Sequence, residues 1–217
     1  MEQEFRTKSE KVYFILQDEI IKGIIPPGTK LVISKLAKRF EVSEIPVREA
    51  LKILANEGYV VLTPHSGVIV SSLSEDDIRQ IFEIRINLES LAARFAVEHL
   101  SNSHIKTLEQ MVEKSKEFLT NLDLKGYIKH NHLFHEFIYQ HSNNQRLFTM
   151  ISELMDFTRR YPPFFNNIQD VNNSIHEHKE ILQALTSRNA DLVEKLIKDH
   201  ITRAYHETIR LVKQAKS

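Results

Sequence analysis

The chain has 217 residues, no cysteine, and 29 basic against 29 acidic residues. Disulfides and thiolate metal sites are therefore excluded, and any affinity for nucleic acid must come from a local basic patch, because the net charge is zero. No apolar run approaches the ~20 residues that span a bilayer, and the N-terminus lacks a signal-like apolar region. We expect a soluble, cytoplasmic protein that has no membrane partner and is long enough for two domains.

The first 40 residues predict two helices separated by a turn. Between residues 9 and 22, apolar side chains recur at helical spacing, namely Val12, Ile15, Leu16 and Ile20. Gly23 ends this helix, and a turn with Pro27 and Gly28 follows. A second helix is predicted over residues 31–40, with Leu31, Leu36, Ala37 and Phe40 on its apolar side. Its outer side carries Lys35, Lys38 and Arg39.

A third helix is predicted between Ser43 and Gly58. Its apolar face is formed by Val47, Ala50, Leu51 and Leu54. Pro46 suits the first turn, where a missing N–H costs nothing, and Ser43 precedes it as a cap. Arg48 points away from the apolar face, as do Glu49 and Lys52. The residues between the second and third helices, 41–43, match the length of the turn in a helix-turn-helix.

Two short strands follow the third helix. Residues 60–63 and 68–70 are β-prone and flank the turn sequence Pro64, His65, Ser66 and Gly67. Two helices, a turn and a two-stranded hairpin in this order predict a winged helix-turn-helix over residues 1–72. Such a unit places a short helix in the major groove of DNA.

These residues closely resemble the DNA-binding domain of GntR-type transcriptional regulators. The positions that carry the resemblance are Gly23, Pro27, Gly28, Leu31, Leu36, Ala37, Val42, Ser43, Pro46, Val47, Arg48, Glu49, Ala50, Leu51, Leu54, Glu57, Gly58, Pro64 and Gly67. The resemblance implies a double-stranded DNA operator as the partner. The DNA-binding residues that we expect on this basis are Lys35, Lys38, Arg39, Ser43, Glu44, Arg48, His65 and Gly67.

Two positions of the expected DNA surface depart from the family pattern. Members commonly have an arginine directly after the turn serine, where this chain has Glu44, and often a charged residue where it has Ser34. A carboxylate at Glu44 repels phosphates but can accept a hydrogen bond from a cytosine amino group. We therefore expect DNA binding at an unusual operator sequence.

Every segment beyond Ser74 predicts helix. Ser74, Asp76 and Asp77 give the first of these helices a cap and acidic residues at the positive end of its dipole. The segments begin with an apolar helix over residues 78–95 and a helix capped by Asn102 or Ser103 that runs to 119, followed by helices over 123–139, 146–160, 173–186 and 190–212. Pro162 and Pro163 begin an irregular segment. The fold class is mainly α: a winged helix-turn-helix and an all-helical antiparallel bundle of about six helices over residues 75–214.

Four polar residues in the predicted bundle form a second constellation. Asn131 and His135 are one turn apart on one helix, while His178 and His200 lie on two helices that fold back on each other. Three imidazoles and one oxygen ligand inside a bundle can bind a transition metal. The alternative is that they are polar-face histidines, the reading we apply to His130, His132, His141, His176 and His206.

The same region looks like the FCD effector domain of the FadR branch of GntR regulators. The motif residues are Asn131, His132, Leu133, Phe134, His135, Ser142, Asn143, Asn144, the segment 177–185 and His200. The resemblance implies a divalent metal held by an acid and three histidines, which here correspond to Asn131, His135, His178 and His200. Zinc or nickel suits three imidazoles best. It also implies Arg85 as the cation of an effector pocket.

Asn131 stands where the family usually has an aspartate. Its carbonyl oxygen can coordinate a metal but brings no charge, and an alternative is that it only orients a water. Three neutral imidazoles and a neutral amide leave the metal its full positive charge. We expect such a site to favour an anion, which fits a small carboxylate effector.

We interpret the chain as a homodimeric transcriptional regulator, a repressor, whose operator binding is controlled by a carboxylate effector. One alternative is a metal-dependent enzyme that uses the three histidines, but only Glu136 and Glu177 lie nearby in sequence as possible bases. Another alternative is a DNA-binding protein without an effector. Inward polar residues such as Arg85 argue against it, because buried polar groups without ligands are costly.

Overall fold

The structure is a computed structural model that describes residues 7–21, 23–63, 67–71, 74–158 and 167–216. The chain divides into two compact units, the first ending at Ser74 and the second beginning at Glu75. The fold class that the sequence predicts is confirmed: a winged helix-turn-helix unit precedes an all-helical unit. Among the described helices, none is both long and apolar enough to cross a membrane.

The first unit contains three helices and three short strands. They are α1 (Lys8–Ile21), β1 (Lys30–Leu31), α2 (Ile33–Phe40), α3 (Glu44–Asn56), β2 (Val60–Thr63) and β3 (Gly67–Val70). All four residues of the apolar face predicted for α3 are fully buried, beside Val12, Leu16 and Ile20 of α1. Glu41 takes the left-handed conformation at φ 55° and ends α2, so that three residues suffice to turn the chain into α3.

The small sheet has one more strand than the predicted wing. Its order is β1-β3-β2 with both pairings antiparallel, and Leu31 lies opposite Val68. The prediction that Leu31 belongs to the second helix is wrong. Leu31 is buried in β1, and the extended backbone of Val32 delays the start of α2 to Ile33. Two residues are too few for an alternating pattern to appear in the sequence.

The second unit consists of six helices in the described residues. They are α4 (Glu75–His99), α5 (Asn102–Thr120), α6 (Leu124–Gln140), α7 (Gln145–Thr158), α8 (Ile168–Thr186) and α9 (Ala190–Lys216). The helix number agrees with the prediction, whereas several ends differ. The cap of α5 is Ser101, which accepts from the backbone N–H of His104 and donates its own N–H to that imidazole. The predicted residues 159 and 160 of α7, and Pro162 with Pro163, lie outside the described residues.

Helix α8 starts five residues earlier than the sequence indicates. Asn167 caps it by accepting from the backbone N–H of Asp170. The buried face of its first turns is partly polar: it contains Asp170 and Ser174 as well as Val171 and Ile175. Hydrophobic periodicity therefore misses this part of the buried face, although it is continuous with His178.

The packing of the second unit brings three helices to one region. Helix α4 packs along α9, and α5 packs against both α6 and α8. Helix α8 packs on both α9 and α6, and α6 comes close to α9 where His135 lies 3.0 Å from His200. Arg94 of α4 pairs with Asp191 and Glu194 at the start of α9.

The α3 core provides a test of the first unit. Replacing the fully buried Leu54 with Ala should lower the free energy of unfolding of this unit by about 2–5 kcal/mol, since it leaves a cavity. The matched control is Ile53→Ala, because Ile53 is 42% exposed and its truncation should change that free energy by less than about 0.5 kcal/mol. Hydrogen exchange of the first unit's amides in increasing denaturant measures both. Equal effects would show that this face of α3 is not the core.

Candidate nucleic-acid interface and metal centre

The outer surface of α2 and α3 carries the predicted DNA-binding side chains. Lys35, Lys38, Ser43, Glu44 and Arg48 are all exposed. Ser43 occupies the N-cap position of α3, but its side chain makes no capping hydrogen bond. Ser43 is thus the N-cap residue, as predicted, but its hydroxyl does not accept a hydrogen bond from a backbone N–H of α3.

Two arginines of this surface have acidic partners within the unit. Arg39 donates to both carboxylate oxygens of Glu19 in α1, and its guanidinium lies 5.0 Å from the centroid of the Phe40 ring. Arg48 donates to Glu44 at 2.8 Å, one turn earlier on α3. Arg39 therefore ties α2 to α1, whereas Glu44 directs the side chain of Arg48 along the exposed face of α3.

One exposed residue of α3 was missed by the sequence reasoning. Ile45 is 68% exposed in the first turn, off the spacing of the buried face. An apolar side chain at this place can contact a thymine methyl group. Of the predicted wing residues, His65 lies outside the described residues, and Gly67 begins β3 at φ +94°, a conformation that glycine adopts without strain.

In the second unit, three of the four predicted metal-site residues meet at one point. His135 of α6, His178 of α8 and His200 of α9 are each at most 2% exposed, and we call them the histidine cluster. The Nε2 atom of His135 lies 3.0 Å from that of His200 and 3.2 Å from that of His178. These are distances at which three nitrogens can bind one ion.

The outer nitrogen of His200 is held by a carboxylate. Its Nδ1 lies 2.6 Å from Oε2 of Glu177, and Arg203 donates two hydrogen bonds to the same carboxylate. Burial acts to raise the pKa of Glu177, but the bonds from His200 and Arg203 outweigh it and lower the pKa to about 2. An ionised carboxylate can only accept, so Nδ1 of His200 donates the proton of this hydrogen bond and Nε2 faces the other two histidines.

The outer nitrogen of His135 is held by a phenol. Nδ1 of His135 lies 3.2 Å from the hydroxyl of Tyr139, which donates to the fully buried Glu89 at 2.8 Å. Burial, reinforced by Glu89, raises the pKa of Tyr139, so the hydroxyl keeps its single proton. Because that proton goes to Glu89, the phenol oxygen accepts from Nδ1 of His135, and Nε2 carries a lone pair.

The inner nitrogens of the histidine cluster are the three Nε2 atoms, and that of His135 carries a lone pair. Burial lowers the pKa of both His135 and His178, so neither imidazole is charged near neutral pH. Three imidazole nitrogens that converge in this way are the donor set that zinc, nickel and related cations take. The donor set present thus fits a divalent metal.

The remaining two predicted site residues are placed differently. Asn131 is half-buried one turn before His135, and its carbonyl oxygen accepts from Ser174 of α8 at 3.5 Å. Arg85 donates to Glu89 at 2.7 Å and to Thr158 at 3.0 Å. Arg85 therefore reaches the histidine cluster through Glu89 and Tyr139.

Four residues around the cluster were missed or set aside in the sequence reasoning: Glu89, Tyr139, Glu177 and Arg203. Helical spacing contained part of the signal, because Glu89 follows Arg85 by four residues and Tyr139 follows His135 by four. From the sequence, Glu177 is considered only as a possible base of an enzyme. In the structure its carboxylate instead contacts the outer nitrogen of His200.

His130 was expected on a polar face, and this expectation is wrong. Its side chain is buried, lies 2.7 Å from the backbone oxygen of Met111, and packs against Phe118 of α5. His130 thus ties α6 to α5 and takes no part in the histidine cluster.

Comparison with known proteins identifies both units. Residues 8–70 match the family described as bacterial regulatory proteins, gntR family, and residues 80–203, more than half of the chain, match the FCD domain. The HTH-type transcriptional repressor RspR of Escherichia coli (strain K12) is 28% identical over 210 residues, which cover 96% of this chain and 92% of that protein. The gluconate operon transcriptional repressor of Bacillus licheniformis is 28% identical over 190 residues, covering 83% and 76%.

Solved structures show the same fold. McbR/YncC of E. coli superposes with a TM-score of 0.78 at 24% identity, covering 98% of this chain and all of that one. A structure described as a metal-free FCD domain superposes with a TM-score of 0.54 at 18% identity, covering 66% of this chain and 99% of that one. The chain belongs to the GntR family of regulators with an FCD domain, and it is a DNA-binding transcriptional regulator rather than an enzyme.

Proposed function

We propose that this regulator is a homodimeric repressor whose operator binding is controlled by a small carboxylate effector at a divalent metal in the second unit. The observation that carries the proposal is the convergence of three buried imidazole nitrogens in the histidine cluster. Because the protein binds DNA, we expect it to be located in the cytoplasm. The names of the repressors among its relatives support repression.

The metal would be held by His135, His178 and His200, with Asn131 as a weak fourth ligand or as the holder of a water. Zinc or nickel suits this set, because manganese normally takes more oxygen ligands. When bound, the metal supplies a Lewis-acidic position with a double positive charge that no ligand of the set neutralises. An anionic effector is the matching partner.

Arg85 is the second group proposed to bind the effector. Its planar guanidinium suits a bidentate carboxylate, and its side chain is 11% exposed. It already pairs with Glu89 and Thr158, so an effector carboxylate there displaces Thr158 or shares the guanidinium with Glu89. Since Glu89 and Thr158 satisfy Arg85 within the chain, the case against an effector-independent DNA-binding protein rests on the histidine cluster.

Dimerisation is supported by an apolar stripe on α4. We call Ile81, Ile84, Leu88, Leu91 and Phe95 the α4 stripe; its members recur at steps of three and four residues, so they lie along one side of the helix. Ile84 is 47% and Phe95 39% exposed, while the rest of the stripe is half-buried. A stripe of this kind can bury itself against its own copy across a twofold axis.

The stripe generates a prediction about assembly. The double change Ile84→Glu and Phe95→Glu should convert a dimer to a monomer, since charges cannot be buried unpaired at the interface. Leu133→Glu is the control, because Leu133 is 46% exposed on α6, outside the stripe. Sedimentation velocity distinguishes the two. A monomeric wild type, or a double variant that remains dimeric, contradicts the assignment.

On DNA, Arg48 is expected to contact base edges or phosphates, with Lys35 and Lys38 on the backbone. Arg48→Ala should weaken binding to the cognate operator by about 1–3 kcal/mol if the arginine contacts a base. A phosphate contact alone would weaken all sequences alike and reduce the salt dependence. Arg79→Ala is the matched control, since Arg79 is likewise exposed and paired with acidic side chains, but on α4. Unchanged operator binding by the Arg48 variant would exclude α3 as the reading helix.

At the metal, His178→Ala should lower the metal content and raise the effector concentration that alters DNA binding. It should leave effector-free DNA affinity intact, because the two sites belong to separate units. His176→Ala is the control, as His176 lies on the same helix with a side chain 74% exposed. Elemental analysis of protein purified without chelator or nickel resin is the measurement.

Effector binding is read from thermal shifts with a panel of small carboxylates, starting with gluconate because one relative is named for the gluconate operon. Asn131→Asp should tighten the metal and weaken an anionic effector, because the added charge competes with it. A metal-free wild type that binds its effector at full affinity would remove the metal from the proposed function.

A further inference from the structure

Each of two metal-facing histidines is backed by an arginine–carboxylate pair. The carboxylate of Glu177 contacts both Arg203 and the outer nitrogen of His200, two residues of α9. Glu89 connects Arg85 to Tyr139, whose oxygen contacts the outer nitrogen of His135. The cluster thus has two chains of hydrogen bonds, and each ends on one Nδ1 atom.

A count of protons fixes the direction of both chains. A carboxylate offers only acceptor atoms, and the two arginines offer only donors. Glu177 must therefore accept from Nδ1 of His200. Glu89 must accept from the single proton of Tyr139, which leaves the phenol oxygen to accept from Nδ1 of His135.

We propose that Glu177, and Tyr139 together with Glu89, are positioning residues that hold His200 and His135 as Nδ1–H tautomers with Nε2 aimed at the metal. This inference rests on the metal centre of the proposed function and names the residues that prepare it. Each carboxylate is matched by an arginine, Arg203 or Arg85. The surroundings therefore orient the imidazoles without cancelling the metal's charge, and the site keeps its preference for an anion.

The two chains differ in strength. His200 donates directly to an ionised carboxylate at 2.6 Å, whereas His135 donates to a neutral phenol at 3.2 Å. Charge-assisted hydrogen bonds are shorter and stronger than neutral ones. Loss of Glu177 should therefore weaken the metal more than loss of the Tyr139 hydroxyl.

The tautomers are measured directly in metal-free protein by long-range proton–nitrogen spectra of ¹⁵N-histidine-labelled samples. In the wild type, His135 and His200 should both be protonated at Nδ1. Tyr139→Phe should move His135 towards the Nε2–H form and leave His200 unchanged. Glu177→Ala should do the reverse, and Tyr205→Phe, which removes a half-buried phenol elsewhere on α9, should change neither.

Metal affinity is measured with zinc or cobalt alone, by competition with a chromogenic chelator. Tyr139→Phe and Glu177→Ala should each weaken binding by about 10–100-fold, the range found when partners of metal-binding histidines are removed. Glu177→Gln keeps an acceptor oxygen and should restore part of the loss. The side chain of Glu177 is 25% exposed, so we expect the two Glu177 variants to fold. They keep the test valid if Tyr139→Phe, at a fully buried position, prevents folding.

The outcomes separate this inference from the proposed function. A wild type that binds zinc tightly, with variants of equal affinity and unchanged tautomers, overturns the positioning role and leaves the metal centre standing. A wild type in which either histidine is protonated at Nε2 overturns it as well. A wild type that takes up no metal overturns the metal centre and the positioning role together.

Discussion

The central constraint in the second unit is the close approach of three imidazole nitrogens among buried side chains. Nε2 of His135 lies 3.0 Å and 3.2 Å from the Nε2 atoms of its two partners, which are at most 2% exposed. Burial lowers the pKa of both His135 and His178, so these two imidazoles are neutral near neutral pH. In the proposed function, a divalent cation bound by the three nitrogens offsets the cost of burying them.

The helices around the histidine cluster contribute both the three imidazoles and the groups that orient them. Each ligand comes from a different helix, so a metal bound there links α6, α8 and α9, and binding energy becomes stability of their packing. The same helices supply the groups that orient the imidazoles, with Tyr139 one turn after His135 and Glu177 beside His178. In the proposed function, a ligand that alters the metal also alters how these helices pack, and this is the physical basis that we propose for effector control.

Much of the fold could be predicted from the sequence because its periodicity is regular. The buried faces of α1 and α3 follow helical spacing, and the same spacing predicts the six successive helices after Ser74. The departures have physical causes: β1 is two residues long, and α8 begins with the buried polar residues Asp170 and Ser174. The three histidines could be grouped from motif and spacing, whereas Arg85 proved to be tied to Glu89. Contacts between side chains of different helices, such as that of Glu177 with His200, cannot be predicted from residue spacing along the sequence.

The most direct test of the metal centre is X-ray absorption spectroscopy on the native protein, purified without chelator or nickel resin. We expect one divalent metal per chain, with three imidazole nitrogens at about 2.0–2.1 Å and one or two further light ligands. The multiple-scattering pattern of histidine rings should weaken by one third in His178→Ala, if that variant retains any metal. A spectrum of bound metal without histidine scattering, or no metal in protein that still responds to its effector, would contradict the account.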